Sequence, residues 1–367
     1  MTKCISFLIK PASAACGMRC RYCFYRDVAE QRSVAATGVM DAPISHVVIE
    51  RAMALAPDAQ VNFAFQGGEP TVAGLPFFED FVSYVERLQE RQRVRYSIQT
   101  NGLAVAEDPL WADFFARNRF LVGLSIDGSK ENHDHLRPDA AGRGTYSRVI
   151  KALHRLQKSR VEFNVLAVLT SQLAQHPQQA FGFLLREKIE FVQYVPCLPG
   201  LREDANTYSL APRDFARFYC RLLDQWQREL ERGHYISIGL FDDVMAMTLG
   251  HQPMQCGMLG TCSPQLVVEG NGDVYPCDFY ALDEWRCGNI LRDSLESLVG
   301  SEVSNRFLSE PRRACSACVS CRFEGMCHRN CKRLNIAYFD NTYCGYQEFL
   351  EYGYPRLVHA ARMLVGC

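Results

Sequence analysis

The sequence has little net charge, no long apolar run and few histidines. Lys and Arg number 40 against 41 Asp and Glu, so no surface of one sign marks a nucleic-acid or membrane-surface binder. The apolar run near the start, Ile5 to Ile9, is only five residues long, too short for the core of a secretion signal or for a membrane span. No repeat, low-complexity tract or long linker interrupts the chain. Cysteine is absent from the whole stretch between Cys23 and Cys197. These absences lead us to expect a cytoplasmic protein with neither nucleic acid nor membrane as a partner.

Cysteine is what the chain has in excess elsewhere. There are 17, ten of them between Cys256 and Cys344. A compartment that keeps thiols reduced disfavours disulfides, so clusters of this kind point to metal or iron–sulfur ligation. The first cluster is C-x3-C-x2-C, with Cys16, Cys20 and Cys23 in "CGMRCRYCFY". A structural zinc site closes with four ligands, and a [4Fe–4S] cluster also normally takes four thiolates. Three thiolates leave one iron open to a substrate or cofactor.

The first 200 residues read as strand–helix repeats. Short apolar or alternating runs occur at 5–11, 61–67, 94–102, 120–128, 161–171 and 190–198. Between them lie stretches with apolar residues three and four apart, such as "PISHVVIERAMALA" and "PFFEDFVSYVERLQERQ". Six such βα units imply a parallel sheet, open or curled into a partial barrel, whose chemistry sits at the C-terminal ends of the strands. The strands end in "KPAS", "QGGEP", "QTNG" and "SIDG", which would line one rim. After about residue 235 the pattern changes. "QLVVEGNGDVYPCDF" reads as a hairpin with a tight primed turn at Asn271-Gly272. Cysteine-dense loops follow, then a helical segment interrupted by Pro355.

The motif "CGMRCRYCFY" resembles the cluster loop of the radical S-adenosylmethionine (SAM) enzymes. That resemblance implies an α/β fold, a partial (β/α)6 TIM-type barrel followed by a C-terminal cysteine-rich SPASM domain with a β-hairpin and closing helix. It divides the chain into a barrel at 1–238 and a SPASM domain at 239–367. It also implies that Cys16, Cys20 and Cys23 hold a [4Fe–4S] cluster whose open iron binds SAM. Tyr22 would lie beside the adenine, and Gly68 of "QGGEP" would present backbone to the SAM ammonium. Ser125 of "LSIDG" would contact the ribose or methionyl group. Arg137 would pair with the SAM carboxylate, and Leu198 would contact adenine.

The later spacing, C256-x5-C262-x14-C277 and then C318-x2-C321-x5-C327-x3-C331-x12-C344, resembles the SPASM extension rather than a zinc ribbon. The resemblance implies two auxiliary [4Fe–4S] clusters, three in all. One would be held by Cys256, Cys262, Cys277 and Cys331, the other by Cys318, Cys321, Cys327 and Cys344. Cys315 forms a further C-x2-C with Cys318 and is an alternative ligand. Cys4, Cys197, Cys220, Cys287 and Cys367 read as ordinary thiols.

Together with "FLIKPAS", "FAFQGGEPTVAGLPFF", "SIQTNG", "CGMLGTC" and "VYPCDFY", these motifs resemble the anaerobic sulfatase-maturating enzymes from about residue 5 to about residue 358. Members oxidise a cysteine or serine of a sulfatase to Cα-formylglycine by removing hydrogen from Cβ. The expected partners are an unfolded or nascent sulfatase segment of the C/S-x-P/A-x-R type and an electron donor such as flavodoxin or ferredoxin. A general base must take the substrate thiol proton, and the resemblance assigns it to Asp278. Tyr25 and Gln66 would line the substrate pocket. The alternative is another SPASM peptide-modifying enzyme, one that forms thioether or carbon–carbon crosslinks. A simple iron–sulfur electron carrier would need neither an open three-cysteine site nor a cofactor rim.

Overall fold

The computed structural model describes residues 4–54, 59–90, 92–202 and 205–366; Cys367 lies outside the described residues. Among the described residues ten strands follow in chain order. They are β1 (Cys4–Ile9), β2 (Gln60–Phe65), β3 (Arg93–Thr100), β4 (Phe120–Ser125), β5 (Phe163–Leu169), β6 (Phe191–Pro196), β7 (Ser237–Ile238), β8 (Val267–Val268), β9 (Asp273–Tyr275) and β10 (Gly288–Asn289). All six strand readings from the sequence are present, each ending two or three residues earlier than its apolar run. Beyond β1 to β4 the residues left out of the strands open the rim turns. Among the described residues no helix is long and apolar enough to cross a membrane.

The chain forms two compact units that interleave in sequence. The first comprises Met1–Ser125, Arg137–Phe163 and Ser263–Glu310. Its strands run in the order β10-β9-β8-β1-β2-β3-β4. β1 to β4 are parallel, with Phe7 opposite Phe63 and Tyr96 opposite Phe120. Alternate residues point into one face: Phe7, Ile9, Val61, Phe63, Phe65, Val122 and Leu124 are buried. The helices Ala42–Met53, Leu75–Leu88 and Leu110–Arg117 bring Val48, Ile49, Phe78, Phe81, Phe114 and Phe115 to the core. Phe65 meets Phe78 and Phe81 edge-on at 5.0 Å between ring centres. Each such ring contributes about 1.5–3 kcal/mol by burial.

β8 joins parallel to β1, Ile9 opposite Val268, and β9 returns antiparallel. The hairpin is where the sequence placed it, but its turn is not a primed one. Gly272 N–H donates to Glu269 O at 2.9 Å and Glu269 N–H to Asp273 O at 2.9 Å. Only Gly272 of the Asn-Gly pair takes a left-handed φ, +83°. A type I′ turn needs both and a type II′ turn needs the first, Asn271; a longer loop with a glycine bulge needs only the glycine.

The second unit comprises Ile126–Leu136, Asn164–Cys262 and Pro311–Cys367. In it β5, β6 and β7 run parallel. The long helix Pro212–Glu231 packs Phe215, Tyr219 and Trp226 against Tyr346, Phe349 and Phe241. Phe349 belongs to the helix Gly345–Val365, which continues through Pro355 rather than breaking there. Proline removes one backbone bond, and the buried face of Phe349, Leu350, Leu357, Ala360 and Ala361 spans both sides of it.

Candidate active site

Parallel pairing sets the ends of β1 to β4 side by side, which places Lys10, Gln66, Thr100, Asn101 and Ser125 along one rim. β8 beside β1 adds Glu269, and the chain leaving β9 carries Cys277 and Asp278 back to the same place. Asp278 is nearly buried at 8% exposure and Lys10 wholly so at 0%. The Lys10 ammonium donates to one carboxylate oxygen of Asp278, and Gln66 Nε2 donates to the other at 3.2 Å. Lys10 Nζ also sits 3.5 Å from the centre of the Tyr25 ring. A cation held between a carboxylate and a π face is doubly stabilised in a low-dielectric site.

Behind Tyr25 lies a second buried group. The Tyr25 hydroxyl donates to Glu269, and Arg32 donates to Glu269 at 2.7 Å and to Tyr25 Oη at 3.1 Å. Burial first, then the Glu269 charge, hold the Tyr25 phenol well above its ordinary value, so it stays protonated. The structure thus brings together Asp278, Gln66 and Tyr25, three of the sequence-derived candidates. It adds Lys10, Arg32 and Glu269, which the sequence reading missed. For Lys10 and Glu269 the available signal was a charged residue at the end of an otherwise apolar run, "FLIK" and "VVE".

The three-cysteine loop follows β1. Gly68 N–H donates to Ser13 O at 2.7 Å and Glu69 N–H to Ala15 O at 2.8 Å, which ties "QGGEP" to the loop. A Cβ at Gly68 would lie 2.3 Å from Ala15 O, so only glycine allows this approach. The Glu69 carboxylate accepts from Thr71 Oγ1, Thr100 Oγ1 and Asn101 N–H, each at 2.7 Å. Burial raises its carboxyl above the ordinary range, against the pull of these bonds. Asn101 in turn points its amide at Cys16 Sγ, 3.7 Å away.

Backbone N–H groups of Met18 and Arg26 face Cys16 Sγ at 3.3 Å and Cys23 Sγ at 3.4 Å. Cys23 thereby caps the helix Phe24–Glu30. Burial first, then Glu69, push the Cys16 thiol up to about 11, and Cys20 and Cys23 add to this. A sulfur placed like that of Cys16 needs a strongly positive centre to become a thiolate, and coordinating iron supplies one. Arg137 NH1 donates to the Tyr22 hydroxyl at 2.8 Å, and Gln99 Nε2 donates to Ser125 Oγ at 2.8 Å. Leu198 lies in the second unit, two residues beyond β6, and is buried.

The second unit gathers two more thiol groups. Burial first, then Cys331 and Cys262, raise the Cys256 thiol. Arg312 braces that loop through Gly260 O at 2.6 Å and His328 O at 3.0 Å and reaches Cys262 Sγ at 3.9 Å. Cys277, the fourth of that set by resemblance, belongs to the first unit. Cys318, Cys321, Cys327 and Cys344 border one partly open hollow with Phe323, Tyr338 and Tyr346. Among the described residues no three His, Cys, Asp or Glu close on a single metal ion. Four thiols around an apolar hollow are a donor set suited to an iron–sulfur cluster, which fills the space between its ligands. Cys327 and Cys344 are pushed up to about 11 and about 12, chiefly by burial, and Cys315 adds to the latter.

Between Cys327 and Cys331 the chain does something unusual. His328, Arg329 and Asn330 all take left-handed φ, at 46°, 62° and 55°. Three such non-glycine residues in a row are costly.

Residues 11–183 match the model of the radical SAM superfamily, and residues 260–322 match that of the SPASM iron–sulfur cluster-binding domain. A cysteine-type anaerobic sulfatase-maturating enzyme of Clostridium novyi (strain NT) is 36% identical over 371 residues, covering 99% of this chain and 98% of its own. One from Clostridium perfringens (strain ATCC 13124) is 38% identical, covering 97% and 98%. The solved structure of native anSMEcpe with bound AdoMet and Kp18Cys peptide is 36% identical, with a TM-score of 0.90 over 98% of this chain and 99% of that one.

Proposed function

The chain belongs to the anaerobic sulfatase-maturating enzymes of the radical SAM superfamily, and from that premise we propose how its own residues carry the reaction. The activity is SAM-dependent oxidation of one residue of a sulfatase to Cα-formylglycine. We take the substrate residue to be cysteine, since the relatives at 36% and 38% identity are cysteine-type. Cys16, Cys20 and Cys23 hold the cluster that binds SAM; Cys256, Cys262, Cys277 and Cys331 hold one auxiliary cluster and Cys318, Cys321, Cys327 and Cys344 the other. The division at 238/239 separates the SAM-binding portion from the SPASM portion. The enzyme works in the cytoplasm, where substrate and enzyme thiols stay reduced, and draws electrons from flavodoxin or ferredoxin. When bound, these groups supply a carbon radical that removes hydrogen from the substrate Cβ, and a sink for the second electron.

The protein's own part is to hold SAM, seat the peptide and take a proton. Arg137 and Tyr22, joined by their 2.8 Å bond, form one wall for SAM. Gly68 offers bare backbone to the ammonium, Ser125 holds the ribose or methionyl end and Leu198 packs on adenine. Asp278 takes the thiol proton of the substrate cysteine. Lys10 and Gln66 use one oxygen each and fix the carboxylate plane, and the remaining lone pairs accept the incoming proton. Lys10 compensates the charge that Asp278 carries before the transfer. The observation that carries this reading is the nearly buried Asp278 carboxylate, oriented from both sides by Lys10 and Gln66.

The test is anaerobic incubation of the iron-loaded enzyme with SAM, a reductant and a C-x-P-x-R peptide. The aldehyde product has lost hydrogen sulfide and gained one oxygen atom; a crosslink loses only two hydrogens. Asp278→Asn should still release 5′-deoxyadenosine while aldehyde formation drops by about 10²–10⁴-fold, the usual worth of a positioned base. Wild-type aldehyde yield from that variant would remove Asp278 from the mechanism.

A further inference from the structure

A fifth thiol stands beside the four that border the hollow of the second unit. Cys315 is buried, at 4% exposure, and its Sγ lies 3.6 Å from Cys318 Sγ. It does not border the hollow itself. Residues Ser316–Ser320 form a 3-10 helix. Cys315 and Cys321 flank the two ends of this turn with extended backbone, and Cys318 lies at its middle. Backbone bonds link the three, Cys318 N–H to Cys315 O at 3.1 Å and Cys321 N–H to Cys318 O at 3.3 Å. Ser316 N–H to Asn341 O at 3.0 Å pins the start of the turn. The Cys315 and Cys318 sulfurs are thus in contact, while only Cys318 of the two faces the hollow.

We propose that Cys315 is a reserve ligand for the auxiliary cluster, able to hold the iron that Cys318 holds. The inference rests on the reading above that Cys318, Cys321, Cys327 and Cys344 ligate a cluster. In the exchange an iron–sulfur bond to Cys318 breaks and one to Cys315 forms. The proton leaving the Cys315 thiol passes to the Cys318 thiolate, and no electron moves. The device protects the cluster against loss of one ligand and needs no backbone rearrangement beyond the flexing of a short turn.

Iron and acid-labile sulfide per chain, together with the electron paramagnetic resonance spectrum of the dithionite-reduced enzyme, test this without reference to activity. Cys318→Ala and Cys315→Ala should each keep the full iron content. Cys321→Ala, and the double variant Cys315→Ala/Cys318→Ala, should each lose about one cluster's worth, roughly a third of the iron if three clusters are present. Loss of that third from either Cys315→Ala or Cys318→Ala alone overturns the proposal. Alkylation gives a second readout should a variant fold poorly. In anaerobic Cys318→Ala, Cys315 should resist iodoacetamide until the iron is chelated. Equal labelling with and without iron also overturns it. A failed aldehyde assay with these iron results intact would instead sink the maturase reading.

Discussion

At the scale of single residues, charge placement decides the site. Arg32 and Glu269 have almost no exposed side-chain surface, 2% and 0%, and their pairing is completed by the Tyr25 hydroxyl. Removing one partner strands the other charge out of water, so Glu269→Ala should cost about 3–5 kcal/mol in anaerobic denaturant unfolding. Tyr25→Phe, which deletes a bond to a charged acceptor, should cost less, about 1.5–3 kcal/mol. Gly68→Ala acts differently. Its methyl would meet Ala15 O at 2.3 Å and Ala14 C at 2.6 Å, forcing "QGGEP" away from the cysteine loop. SAM affinity, read by equilibrium binding to the iron-loaded enzyme, should weaken at least about tenfold, since even 1.4 kcal/mol of overpacking strain is that much. Residues with short-range signatures were legible beforehand, the cysteine spacing and the paired glycines; Asp278 came from the family resemblance alone. Lys10, Arg32 and Glu269 were not, because a lone charge gains meaning only from its partners. Lys10 and Asp278 are 268 positions apart, Arg32 and Glu269 237, and Tyr25 and Glu269 244.

At the scale of elements, two helices carry much of the second unit. Gly345 opens the last helix against the start of Pro212–Glu231, and a Cβ there would stand 2.0 Å from Pro212 O. Backbone has nowhere to go, so Gly345→Ala should destabilise by about 1–3 kcal/mol, as overpacking does. Gly353→Ala meets only Leu223 and Phe349 side chains, at 2.9 and 3.2 Å, and should lower the thermal midpoint less than Gly345→Ala when the two variants are melted side by side. The strands β1 to β6 were readable because a buried parallel strand is a short apolar run closed by turn residues. The helix through Pro355 was not, since propensity forbids what packing on both sides of the proline enforces. The hairpin turn was misread for a related reason: Asn-Gly suits two loop types, and the longer one wins when Gly272 alone must bend. The left-handed run His328–Asn330 leaves no trace in the sequence, since none of the three is glycine and backbone strain of that kind is imposed by the surrounding fold.

At the scale of the whole molecule, buried phenols govern its response to alkali. Tyr25, Tyr219 and Tyr346 are all held well above the ordinary phenol value, by burial first. In the unfolded chain they ionise near about pH 10. Their contribution to stability is therefore complete below that pH and is lost as pH rises above it, because the unfolded state then binds fewer protons. The thermal midpoint should hold steady up to about pH 10 and fall beyond it, with ionised absorbance from these three tyrosines appearing only as the protein melts. The interleaving of the two units has a consequence for how the enzyme is made. The first unit is incomplete until Ser263–Glu310 has been added, so while the ribosome is still working, β1 has no β8 beside it and Lys10 no Asp278. A newborn chain therefore carries its amino-terminal cysteines through most of translation on an unfinished sheet. Iron delivery that waits for release of the completed polypeptide would find all three sulfurs already set in place.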